Sequence, residues 1–275
     1  MSRFLGIDFS GNHHMWRPGC RRSNVWVSEV RRNEEGLILV DLRPVQGLPG
    51  DQHPFERLVS FLSRGDFEAA AIDAPFSVPR AFIPPDGYAG LLERIGLLSD
   101  PDGRPFCRSA AFVKAVAGVD PPLDPPQPMR STDAYWRQKG LNVRSTLWAG
   151  ARGGAAMTAA CFKLLHRAQR PIWPWVHESR GLIVEAFPMA QLKQWGLPYN
   201  GYGKQDREGE LLREQIIDGV RERIDLGVSD EVLLSSADAL DSVLCAFSGL
   251  AITTSSIAVP PDDSALLEGW MSVHA

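Results

Sequence analysis

The chain has 275 residues, 44% hydrophobic and 23% charged, with a formal net charge of −4. These proportions are those of a globular protein and exclude disordered and fibrous classes. The acidic balance excludes a protein that coats nucleic acid through overall positive charge, although a local basic groove stays open. No apolar run approaches the ~18 residues of a membrane helix, so no membrane association is expected. The start, MSRFLGIDFSG, reaches an acid at Asp8 and lacks the apolar core and cleavage site of a secretory leader. Cys20, Cys107, Cys161 and Cys245 are far apart and form no C-x-x-C pair, so reduced thiols in a cytoplasmic protein are expected.

In chain order, residues 3–8 read as a short buried strand ending at Asp8. Residues 24–31 (NVWVSEVR) alternate apolar and polar, as a half-exposed strand does. NEEG makes a turn into a third strand from Leu37 to Leu42, completing a hairpin. Phe55, Leu58, Val59 and Leu62 recur at helical spacing over 54–64, with Pro54 at the start. EAAAID (68–73) is a fourth strand, apolar enough to be covered on both faces, and Pro75 and Pro79 end it. Residues 74–150 are rich in Pro, Gly and Arg, densest at PPLDPPQP (121–128). They read as an irregular insertion with short helices near 88–98, 107–117 and 131–139. A helix over 154–168, a fifth strand at 181–185 (GLIVE), an amphipathic helix over 207–225 and a last helix over 236–251 follow. A hairpin feeding two parallel strands through helical crossovers is a mixed α/β sheet.

Three of the strands end at a carboxylate: Asp8, Asp73 and Glu185. In α/β sheets, ligands bind at the carboxyl ends of strands. Any one of these acids serves equally well as a loop cap, but three at equivalent strand ends ask for a common cause. The last helix, SADALDSVLCAFSGL, adds Asp238 and Asp241 at i, i+3. The side bearing them is otherwise small (Ser242, Cys245, Ser248, Gly249), so this helix can approach a sheet closely and bring both acids to the strand ends. Ser235 three residues before Asp238 offers a capping alternative for that residue. Carboxylates converging on one point repel unless a cation is present, and an oxygen-only set suits Mg²⁺ or Mn²⁺. Paired ions of this kind drive in-line phosphoryl displacement.

These positions resemble the ribonuclease-H-like superfamily, and SADALDSVLCAFSG is similar to the terminal helix of bacterial Holliday-junction resolvases. The run FLGIDFSG, AAIDAPFSVP, RSTDAYWRQKGL, IVEAFPMAQLKQWG, YGKQDREGELLR and ADALDSVLCA resembles a family of predicted ribonuclease-H-like nucleases, domain of unknown function 429, from about residue 4 to 252. The resemblance implies a ribonuclease-H-like mixed five-stranded sheet flanked by helices, in one domain over 1–275. The core would be about 1–75 and 151–254, and the Pro/Arg-rich insertion after strand four about 76–150. It implies metal ligands at Asp8, Asp73, Glu185, Asp238 and Asp241, Mg²⁺ or Mn²⁺ as cofactor, and hydrolysis of a nucleic-acid or nucleotide substrate to a 3′-hydroxyl and a 5′-phosphate. The classical superfamily site uses four acids. Five compete here, which puts Glu185 or Asp238 in doubt as a direct ligand.

Lys204, in the family's Tyr–Lys region, is expected to contact a scissile phosphate; a solvated loop lysine is the plain alternative. Arg130 and Asp133 match a family motif or form a structural pair. His13 and His14 in a loop suit proton transfer, metal binding or simple exposure. Trp173 and Trp175 suit base stacking or packing. Arg17, Arg21 and Arg22 supply local positive charge. Two other functions fit less closely. DFSG matches an actin- or sugar-kinase-like ATP-binding protein, but no second glycine-rich phosphate loop is visible. A non-catalytic binding module would use the Pro-rich insertion as its partner site.

Overall fold

The computed structural model describes residues 1–99, 102–123, 127–150, 153–177, 180–227 and 230–275. The short apolar runs form a single five-stranded sheet: β1 (Ser2–Asp8), β2 (Trp26–Arg32), β3 (Leu37–Pro44), β4 (Ala69–Asp73) and β5 (Leu182–Glu185). Its spatial order is β3-β2-β1-β4-β5; β2 runs antiparallel to both β1 and β3, and β4 and β5 run parallel to β1. The expected turn between β2 and β3 closes at Asn33, whose side chain accepts from the N–H groups of Glu35 and Gly36.

The helices are α1 (Pro54–Ser63), α2 (Gly87–Gly96), α3 (Ser109–Ala117), α4 (Ser131–Gln138), α5 (Gly154–Ala168), α6 (Pro188–Gln194), α7 (Arg207–Arg221), α8 (Asp230–Ser235), α9 (Ala237–Thr253) and α10 (Ala265–Glu268). Alternation along the strands sends Leu5, Ile7, Ala70, Ile72 and Ile183 to one face, packed with α1 and α5. Phe4, Ala69, Ala71, Leu182 and Val184 go to the other, packed with α7 and α9. Both faces of the central strands are therefore covered, which is why their sequences read as continuous apolar runs.

The segment expected as an insertion carries α2, α3 and α4. Tyr88, Leu91, Phe112 and Val113 share one buried cluster with Phe162 and Leu165 of α5. Residues 124–126 of its Pro-rich stretch lie outside the described residues. The helix expected to run to 225 ends at Arg221, because Asp225 leaves it to pair with β3: its N–H donates to Leu37 O and its carbonyl accepts from Leu39 N. The short helices α6, α8 and α10 were not legible as periodic segments. Nor was the final stretch, where Ser272 pairs with Ala186 beyond β5 and Trp270 is buried. No helix among the described residues is long and apolar enough to cross a membrane.

Candidate acidic site at the strand ends

Pairing of β1 with β4 sets Asp8 opposite Asp73, and paired residues of parallel strands project to the same face. That face is the one α9 covers. Ser236 caps α9 by accepting from Ala239 N, one residue later than the sequence reading placed the cap. The small side of α9 then rests on the sheet. A Cβ at Gly6 would come within 1.9 Å of Ser242 O, so only glycine lets the helix backbone lie against β1 there. Ser28 Oγ donates to Ser242 O at 2.8 Å and fixes the approach. Asp238 and Asp241, in the first turns of α9, are thereby carried to Asp8 and Asp73.

The four aspartates feel one another. Burial first, then Asp241, Asp73 and Asp238, push the Asp8 carboxyl well above the ordinary range. Asp241 is raised by burial and then by Asp73; the Tyr202 hydroxyl, donating to its Oδ1 at 2.8 Å, acts in the opposite sense. Burial and then the Glu185 charge push Asp73 up to about 7. Burial also raises Asp238. Asp8 is buried, whereas Asp73, Asp238 and Asp241 keep a partly exposed edge. Among the described residues, no Lys or Arg forms an ion pair with any of the four. Cys245 packs beneath them, its thiol raised by burial and by the same charges. No disulfide joins any of the four cysteines.

Glu185 is placed differently. It lies opposite Ile72, not Asp73, so it projects to the α5 face. There Arg130 takes both its oxygens, Nη2 to Oε1 at 2.6 Å and Nη1 to Oε2 at 2.8 Å, and Phe76 N–H donates to Oε2 at 3.0 Å. The same guanidinium binds Asp133 at 2.8 and 3.0 Å. Burial would lower the Arg130 pKa, but Asp133 and Glu185 outweigh it and raise it. Burial keeps Glu185 above its ordinary range despite Arg130. Of the expected ligands, Glu185 alone has its oxygens engaged by a cation. Its charge still reaches Asp73 at the shared strand end.

Lys204 is not brought to the aspartates. Its exposed ammonium pairs with Glu208 in the first turn of α7, at 2.7 Å, which raises its pKa. Tyr202, two residues earlier, reaches Asp241 instead. Buried Arg213 donates to the carbonyls of Tyr202 and Lys204 and holds that turn. The sequence offered no signal for Tyr202 beyond its place beside Lys204. Trp173 is buried, and Trp175 stacks on Tyr88 with ring centroids 3.4 Å apart, so both are packing residues. The His13 and His14 rings lie against each other in a short 3-10 turn, 3.8 Å apart.

Asp73 also borders an open cavity of about 370 Å³, lined as well by Asn142, Val143, Arg144, Phe187 and Met271. Among the described residues, no three His, Cys, Asp or Glu side chains stand close enough together to hold one metal ion. Fold and site together define an α/β protein with a mixed five-stranded sheet and a buried aspartate cluster where its parallel strands end. A family model described as "Protein of unknown function (DUF429)" matches residues 6–265, and the chain belongs to that family. No curated protein and no solved structure matches it.

Proposed function

We propose that this protein is a divalent-metal-dependent phosphodiesterase that hydrolyses nucleic acid. One observation carries the reading: Asp8, Asp73, Asp238 and Asp241 gather at one end of the sheet, raised by burial, three of them also by other carboxylates, with no basic partner among the described residues. Such a cluster is costly unless protons or a cation neutralise it. The donor chemistry fits a hard cation, since it is all carboxylate oxygen and the one nearby thiol is held neutral. The strand order β3-β2-β1-β4-β5, with helices on both faces, supports the ribonuclease-H-like reading.

As they stand no three of these aspartates reach one point, so Asp8, Asp73 and Asp241, with Asp238 beside them, would have to draw together to hold Mg²⁺ or Mn²⁺. When bound, such ions supply an activated water and stabilise the leaving oxygen. The chain's own residues do the rest. Tyr202 fixes the orientation of Asp241 through Oδ1. Packing of α9 on Gly6 and Ser28 sets the distance between the two pairs of aspartates. Arg130 pairs with Glu185 on the opposite face and fixes the end of β5, while the Glu185 charge still reaches Asp73. Lys204 becomes a phosphate contact only if its pair with Glu208 opens. An actin-like ATP-binding protein requires a duplicated half, and the described residues form one sheet.

The test is hydrolysis of single-stranded, duplex, hybrid and branched nucleic acids by purified protein with Mn²⁺. Cleavage that chelator and Asp8→Asn both abolish is the expected result. Absence of cleavage on every substrate, together with no Mn²⁺ binding by calorimetry, would remove the proposal.

A further inference from the structure

The cavity beside Asp73 does not stand alone. The strip Asn142-Val143-Arg144 lines both it and a second cavity, and the two measure about 370 and about 420 Å³. Each is at the small end of the range for ligands of nucleotide size, too small to admit a stacked duplex. The second is bordered by Arg137, Arg144 and Trp148. Trp148 is 37% exposed and stacks on no other ring among the described residues. Its backbone is pinned at both ends, because its N–H donates to Ser145 O and its carbonyl accepts from Ala155 N at the start of α5. Its ring lies over Gly150, where a Cβ would come within 2.7 Å of the indole. An exposed indole held this firmly loses little freedom when a flat partner stacks on it. Arg137 is exposed and forms no ion pair among the described residues; its Nη1 donates to Met129 Sδ.

Resting on the phosphodiesterase reading, we infer that the strand-four insertion forms a single-strand track: one unpaired nucleotide occupies the cavity at Asp73, and its neighbour stacks on Trp148 with its phosphate on Arg137 and Arg144. A flat base has apolar walls in the first cavity at Val143, Phe187 and Met271, with the Asn142 amide able to donate and accept at its edge. Stacking on Trp148 requires a base out of its pair, so the substrate is single-stranded nucleic acid or a frayed end. A duplex would leave the indole unused.

Fluorescence anisotropy tests this with short labelled oligothymidylate and oligouridylate strands, free or annealed to their complements, in chelator so that nothing is cut. Single strands are expected to bind at least about tenfold more tightly than duplex. Trp148→Ala weakens single-strand binding about tenfold, while Trp148→Phe stays near wild type and excludes misfolding. Arg137→Gln lowers the salt dependence by about one phosphate contact. Arg32→Gln, at the opposite end of the sheet, changes nothing. The relative affinity of the two strands assigns DNA or RNA.

Equal binding of duplex, wild-type affinity in Trp148→Ala, or no binding of any strand overturns the track. If nucleic acid is nevertheless cut in Mn²⁺, the phosphodiesterase reading survives that failure. If the Trp148-dependent preference is found but no divalent ion supports cleavage, the track stands and the hydrolase reading falls.

Discussion

Two groups of carboxylates occupy the same end of one sheet in opposite electrostatic surroundings. On the α9 face, Asp8, Asp73, Asp238 and Asp241 are raised by burial, and Asp8, Asp73 and Asp241 also by other carboxylates, without a basic partner among the described residues. On the α5 face, Glu185 and Asp133 share the buried guanidinium of Arg130 through paired hydrogen bonds. A buried acid with its own arginine is a finished structural unit. A buried acid facing only other acids is a unit that a cation would complete. The difference follows from pleat parity: one residue of register between β4 and β5 sends Glu185 to the other side.

Arg130→Met strikes the compensated face hardest. It leaves Glu185 and Asp133 buried without a counter-charge and is expected to cost about 3–5 kcal/mol in urea unfolding. A loss below about 1 kcal/mol would mean the network is not structural. Asp8→Asn or Asp241→Asn should reverse the pattern, with folding stability unchanged or higher and Mn²⁺-dependent hydrolysis down about a hundredfold or more. Glu185→Gln separates the two groups directly. It should lower stability by about 1–3 kcal/mol and leave Mn²⁺ affinity nearly unchanged. Loss of Mn²⁺ binding in that variant would make Glu185 a ligand and break the contrast.

The pH dependence sharpens it. Asp73 is raised from its ordinary value to about 7 in the fold, so the folded protein binds its proton more tightly than the unfolded chain. Its stabilising contribution is complete below about pH 4 and is lost as pH rises through 7. Thermal unfolding in chelator should therefore show a lower Tm at about pH 8 than at about pH 5, a difference that Asp73→Asn reduces. The smallest expected effect is that of Tyr202→Phe, which frees Asp241 Oδ1. Mn²⁺ affinity should fall by roughly tenfold at an unchanged fold, read by calorimetry.

Much of the fold was legible because its signals are local. The strand runs, the caesura after AAAID, and the helices over α1, α5 and α9 follow from residue spacing and Pro placement. So did the grouping of Asp8, Asp73, Asp238 and Asp241, because two lie at strand ends and two on the small side of one helix. Three features were not legible. Helices α6, α8 and α10 are too short for periodicity to speak. Tyr202 and Trp148 owe their roles to the neighbours that orient them. Glu185 ends its strand just as Asp73 does, and nothing in GLIVE says which face its last side chain takes.

From the sequence alone came an α/β sheet, its elements in order, and a set of acids able to share one place. Side-chain direction in a strand is decided by hydrogen-bond register with a strand more than a hundred residues away in sequence, and register is a tertiary quantity. That register gave Glu185 to Arg130 and left the aspartates together. The packing of the insertion against α5 set Trp148 and the cavity walls around Asp73. Those contacts join distant segments, and local residue spacing carries no trace of them.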